Sequence, residues 1–152
     1  MAGAIAQIHV EGLDHTAIAA DNTAELVAWY QRVLGLAIVA KKAPDKPGGQ
    51  ETYLIGPAGQ SPPEESIASG MMLEIMPRND NPRPLRHSHD AGISHVAWKV
   101  ADFDAALNHL QNMNVQLLSA VITAVGGGRI ISFADGEGNL TQIVERAGRA
   151  ER

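Results

Sequence analysis

The amino-acid sequence predicts an α+β fold made of two copies of one βαβββ module. Two observations predict it: a repeated pairing of a His-bearing strand with a capped amphipathic helix, and three short β-like runs after each helix. The segment LDHTAIAADNTAELVAWYQRVLGL, starting at Leu13, lies over ISHVAWKVADFDAALNHLQNMNV, starting at Ile93. In that overlay His15 falls on His95 and Asn22 on Asp102, both 80 residues apart. Self-similarity at a fixed offset marks a duplicated structural unit.

The first helix is delimited by local signals. Asn22 is a capping residue with Glu25 three positions on, Leu26, Tyr30, Val33 and Leu34 recur at helical spacing, and Gly35 is a natural stop. In the second copy Asp102 caps a helix whose apolar stripe is Phe103, Leu107, Leu110 and Met113. The β-like runs are 37–41, 52–55 and 71–76 in the first copy, and 116–122, 129–133 and 140–145 in the second. A tight turn is expected at 135–139, Asp-Gly-Glu-Gly-Asn. The stretch 57–70 reads as a loop inserted in the first copy. The organisation is therefore a first module at 1–76, a linker at 77–92, a second module at 93–146 and a polar tail at 147–152.

Composition narrows the function. The chain has 152 residues, 45% apolar and 19% charged, enough for a core in one compact domain or two small fused ones. A formal net charge of −5 gives no basic field for a polyanion, so nucleic acid is not an expected partner. With no cysteine, disulfides and thiolate metal sites are excluded, and any metal must be held by His, carboxylate, amide or water. The N-terminus makes a poor signal peptide, and no apolar run approaches the roughly 20 residues that span a bilayer. No membrane association is expected, and the cytoplasm is the default location.

Strand parity selects the candidate site, because alternate side chains point to opposite faces. His15 shares a face with Leu13 and Ala17, and His95 shares one with Ile93 and Ala97. Glu74 lies with Met72 and Met76, and Gln142 with Leu140 and Val144. If one face of each sheet packs on its helix, the other can line a shared cavity. His15, Glu74, His95 and Gln142 are then two equivalent pairs, and such a set suits Zn, Ni, Co, Fe or Mn. A lone strand His is more often structural, and His9 and His109 are read so; His15 and His95 stand apart because they repeat. His87 and His89 are read as exposed linker residues. Met71, Met72 and Met76 are read as packing residues and Gly126 to Gly128 as a flexible loop near the site.

The runs HTAIAADNTAELVAWYQRVLGL and GRIISFADGEGNLTQIVE resemble the glyoxalase, methylmalonyl-CoA epimerase and extradiol dioxygenase superfamily, the vicinal-oxygen-chelate group, from about Leu13 to Arg146. The resemblance implies mixed sheets curved around a metal cavity with helices outside, one divalent ion, and a homodimer. It puts metal ligands on the first and fourth strand of each module, matching His15, Glu74 and His95. The family's Asp-Pro-Asp-Gly-Asn run places the last ligand four residues after its glycine, which from Gly138 is Gln142 and not Glu145. Glu145 has the opposite parity and is the alternative. Arg129 matches a family arginine; it either faces the cavity and binds an anionic substrate group or pairs with Asp135.

The activity so implied is a lyase or isomerase acting on a small oxygen-rich substrate through metal chelation and an enolate-like intermediate. Glu74 is then the candidate base, because an amide at 142 cannot take a proton near neutral pH. Glyoxalase I carries an arginine on the first strand where this chain has Ala19, which makes glutathione a doubtful substrate group. Two other readings remain: an extradiol-type dioxygenase, against which Gln142 counts, and a non-catalytic small-molecule-binding protein.

Overall fold

A computed structural model describes residues 8–59, 71–146 and 148 of the chain. The element order is β1 (His15–Ala20), α1 (Thr23–Leu34), β2 (Leu36–Lys42), β3 (Thr52–Pro57), β4 (Met72–Pro77), β5 (Val96–Lys99), α2 (Phe103–Asn112), β6 (Ile122–Thr123), β7 (Arg129–Ala134) and β8 (Leu140–Glu145). This is βαβββ twice, the α+β fold expected. Each module forms its own four-stranded sheet, ordered β1-β4-β3-β2 and β5-β8-β7-β6. In both, the first strand pairs parallel with the fourth and the remaining pairs are antiparallel, so the sheets are mixed and neither is closed.

Both helices start as their sequences require. Asn22 accepts from the amide of Glu25 and Asp102 from that of Ala105, each satisfying one of the donors a helix N-terminus leaves open. Gly35 ends α1 with a left-handed φ of 66°, a conformation a side chain would oppose.

One expected strand is largely absent. Of 116–122, only Ile122 joins a ladder. Gln116 and Leu118 still exchange backbone bonds with Ala134 and Ser132, but the amide of Ser132 then donates to the Ser119 hydroxyl at 2.9 Å. That side chain occupies the position of a ladder carbonyl and interrupts the strand. The inserted loop expected at 57–70 lies mainly in 60–70, outside the described residues, as does most of the tail.

Helix α1 joins the modules. Leu26, Val27 and Tyr30 pack with Ile55, Leu73 and Ile75 of the first sheet, while Val33 packs with Phe103, Leu110, Ile131, Phe133 and Ile143 of the second module. Polar bonds seal the junction. The buried Tyr30 hydroxyl donates to Asp135 at 2.7 Å, and Glu137 accepts from the amides of Asp21 and Asn22 at 2.8 Å each. A Cβ at Gly136 would meet the Trp29 ring at 2.8 Å, so the glycine lets the 135–139 turn press against α1. Burial, and then the Asp135 charge, push the Tyr30 phenol far above its ordinary range, keeping it a donor.

Candidate metal centre: two half-sites on the open sheet faces

The packing just described consumes one face of each sheet. On β1 the core takes Ile18 and Ala20, leaving His15, Ala17 and Ala19 exposed. On β4 the core takes Leu73 and Ile75, and Glu74 and Met76 face the other way. On β8 Ile143 is core, so Gln142 shares the open face with Ser132 of β7, its cross-strand partner. The register makes the two modules equivalent: Ala17 pairs with Glu74 and Ala97 with Gln142. Glu74 and Gln142 thus hold the same place beside β1 and β5, although His15 opens β1 whereas His95, expected on a strand, directly precedes β5.

In the first half-site His15 Nε2 lies 3.7 Å from Glu74 Oε2, and its Nδ1 bonds Asp14 Oδ2 at 2.6 Å. A carboxylate only accepts, so Nδ1 carries the hydrogen and Nε2 faces Glu74 as a lone pair when the ring is neutral. The Asp14 bond raises the His15 pKa above its ordinary value; desolvation opposes this and the Glu74 charge adds to it.

In the second half-site His95 Nδ1 lies 2.9 Å from the Ser94 hydroxyl, whose single hydrogen goes to the Ser88 carbonyl at 2.7 Å. His95 Nδ1 is therefore the donor there as well, and Nε2 is again free. Gln142 is 8% exposed; its amide nitrogen donates to Ser132 Oγ at 2.9 Å, and its Oε1 is buried without a partner. Buried acceptors seldom go unpaired, and this one is oriented by the bond its own nitrogen makes.

These donors fit a divalent ion: two imidazole nitrogens with free lone pairs, one carboxylate and one orphaned amide oxygen. Of these four side chains, His15 and Glu74 approach each other, at 3.7 Å. Among the described residues no three His, Asp or Glu side chains converge, so His15, Glu74 and His95 do not form one cluster.

The other expected positions resolve by face. Arg129 neither lines the open face nor meets Asp135. Its guanidinium bonds Asp104 at 2.9 Å and Glu145 at 3.0 Å and lies 4.7 Å over the Phe103 ring, on the side covered by α2. Glu145 is thereby occupied on the helix side of β8, away from Gln142. His9, His87 and His89 are exposed, and His109 Nε2 bonds the Val33 carbonyl at 2.8 Å, joining the modules. Met72 is buried, whereas Met71 and Met76 are exposed. Gly128 is tightly placed: at φ 93° its α-carbon abuts the Glu145 carbonyl so closely that a Cβ would overlap it. Asp14, Ser94 and Ser132, which bond His15, His95 and Gln142, belong to no motif in the sequence. The signal for the first two is that each directly precedes its repeated histidine.

Residues 12–143 match the sequence profile of the glyoxalase/bleomycin resistance protein/dioxygenase superfamily. No curated protein matches the chain. Solved structures share its fold. A glyoxalase family protein from Enterococcus faecalis aligns with a TM-score of 0.65 at 18% identity, covering 89% of this chain and 98% of its own. Lactoylglutathione lyase from Agrobacterium tumefaciens aligns at 0.57 and 19%, covering 90% and 94%. TnmS3, an antibiotic-binding protein from Streptomyces sp. CB03234, aligns at 0.64 and 15%, covering 93% and 100%. The duplicated βαβββ module and the profile over most of the chain agree: this protein belongs to the glyoxalase/bleomycin resistance protein/dioxygenase superfamily.

Proposed function

We propose that the protein is a divalent-metal-dependent lyase or isomerase that acts on a small, oxygen-rich substrate by chelation. His15, Glu74, His95 and Gln142 hold the ion. The observation that carries this reading is the duplication itself: two histidines at equivalent places, His15 opening β1 and His95 directly preceding β5, each bonded through Nδ1 and each with Nε2 free. The orphaned Oε1 of Gln142, at the place equivalent to Glu74, supports it.

When bound, the metal supplies Lewis-acid stabilisation of negative charge developing on a substrate oxygen. The chain's own residues divide the remaining work. Glu74, partly exposed beside His15, takes the proton alpha to a carbonyl; Gln142 has no basic site and serves as a ligand. Ala17, Ala19 and Ala97 leave room on the open faces. A homodimer completes the site. Leu13 and Ile93, each two residues before its histidine, are 69% and 75% exposed, and Met71 is 67% exposed. A second copy covering this apolar rim would bring the half-sites of different chains together.

Elemental analysis after metal loading tests the ligand set, and sedimentation tests the dimer. One ion per chain is expected, with metal-dependent deuterium uptake from D2O into small 2-oxo acids or hemithioacetals. A His15→Ala, His95→Ala double variant that still holds a full equivalent of metal overturns the reading.

A further inference from the structure

We infer that Asp14 and Ser94 are positioning residues that set the tautomer and ring orientation of the two proposed histidine ligands, one with charge and one without. The inference rests on the metal reading above and extends it to residues outside the ligand set. Both occupy the position before the repeated histidine, and both place an oxygen on Nδ1, at 2.6 Å from Asp14 and 2.9 Å from Ser94. Either bond leaves Nε2 as the lone-pair nitrogen, the one that can reach an ion on the open face. Ser94 can do this because its hydrogen is committed to the Ser88 carbonyl at 2.7 Å. The linker before β5 therefore helps set the state of His95.

The two anchors are unequal. Asp14 is a carboxylate and raises the basicity of the imidazole it holds; Ser94 is neutral. The difference runs parallel to that between Glu74 and Gln142, so all the anionic groups of the site belong to the first module. The half-site on β1 and β4 thus carries most of the attraction for a cation, while that on β5 and β8 supplies neutral donors.

The test uses the full chain. Side-chain nitrogen spectra of the metal-free protein, at a pH where the imidazoles are neutral, should show His15 and His95 protonated on Nδ1. Asp14→Ala should release only His15 toward the Nε2-protonated form, and Ser94→Ala only His95. Competition for Zn2+ against a chromophoric chelator should show Asp14→Asn binding about 10- to 100-fold more weakly than wild type, with a smaller loss for Ser94→Ala. The Asp14 side chain is 67% exposed and Ser94 is exposed, so neither change threatens the core. Unchanged tautomers in the alanine variants, or wild-type affinity in Asp14→Asn, overturn the positioning role. A wild-type protein that binds no Zn2+ while its tautomers respond as described overturns the metal reading instead, and leaves the anchors as hydrogen bonds alone.

Discussion

Replacing Gln142 by Glu tests strand register and site chemistry in one step. Gln142 is buried, gives its amide hydrogen to Ser132 and leaves Oε1 without a partner. In Gln142→Glu the metal-free protein holds a buried carboxylate whose one available donor is the Ser132 hydroxyl. A neutral unsatisfied group costs about 1–3 kcal/mol, which in a chain of this size lowers Tm by roughly 2–12 °C, and a buried charge costs more than that. Metal reverses the sign, because a full negative charge now meets the cation at the same reach. If affinity rises by about ten-fold, saturating metal stabilises the variant by about 1.4 kcal/mol more than it stabilises wild type.

Glu145→Gln is the control. Glu145 accepts from Arg129 at 3.0 Å and from the Phe103 amide at 3.4 Å on the helix side of β8. Its loss costs about 0.5–1.5 kcal/mol of stability and leaves metal affinity unchanged. The assays are thermal unfolding with and without metal and chelator competition. If Glu145→Gln abolishes metal binding while Gln142→Glu changes nothing, the register argument is refuted and Glu145 is the ligand.

Three further outcomes are expected. Tyr30→Phe removes the buried bond to Asp135 and should lower the stability of unfolding by about 1.5–3 kcal/mol in a denaturant titration, without changing metal stoichiometry. Because the folded pKa of His15 is raised, its contribution to metal-free stability is fully present below its ordinary value of 6.5 and is lost as pH rises through the folded value. The stability gap between wild type and His15→Ala should therefore be widest at acidic pH and close on the alkaline side, and a constant gap refutes this. Glutathione hemithioacetals should be poor substrates, since Ala19 offers no charge on the open face of β1; turnover rivalling that of a dedicated glyoxalase would refute the inference.

Much of this protein was legible in its sequence because the information is local or repeated. Asn22, Asp102 and Gly35 act within one helical turn, so the starts of both helices and the end of α1 could be read from neighbouring residues. The offset of 80 residues between the histidines placed β1 and β5 without any knowledge of packing. Parity separated Gln142 from Glu145, and the pairing of Ala97 with Gln142 agrees with that separation.

Tertiary structure decided what depends on groups remote in the chain. Arg129 turns toward α2 because Asp104, Glu145 and the Phe103 ring wait there, and no spacing rule reports which face carries the counter-charges. The strand expected at 116–122 gives way to a side-chain bond from Ser119 to a backbone 13 residues away. Whether the two half-sites share one cavity is likewise a matter of how α1 wedges between the modules. Strand alternation orients each sheet face locally, but it carries no information about the distance from one sheet to another.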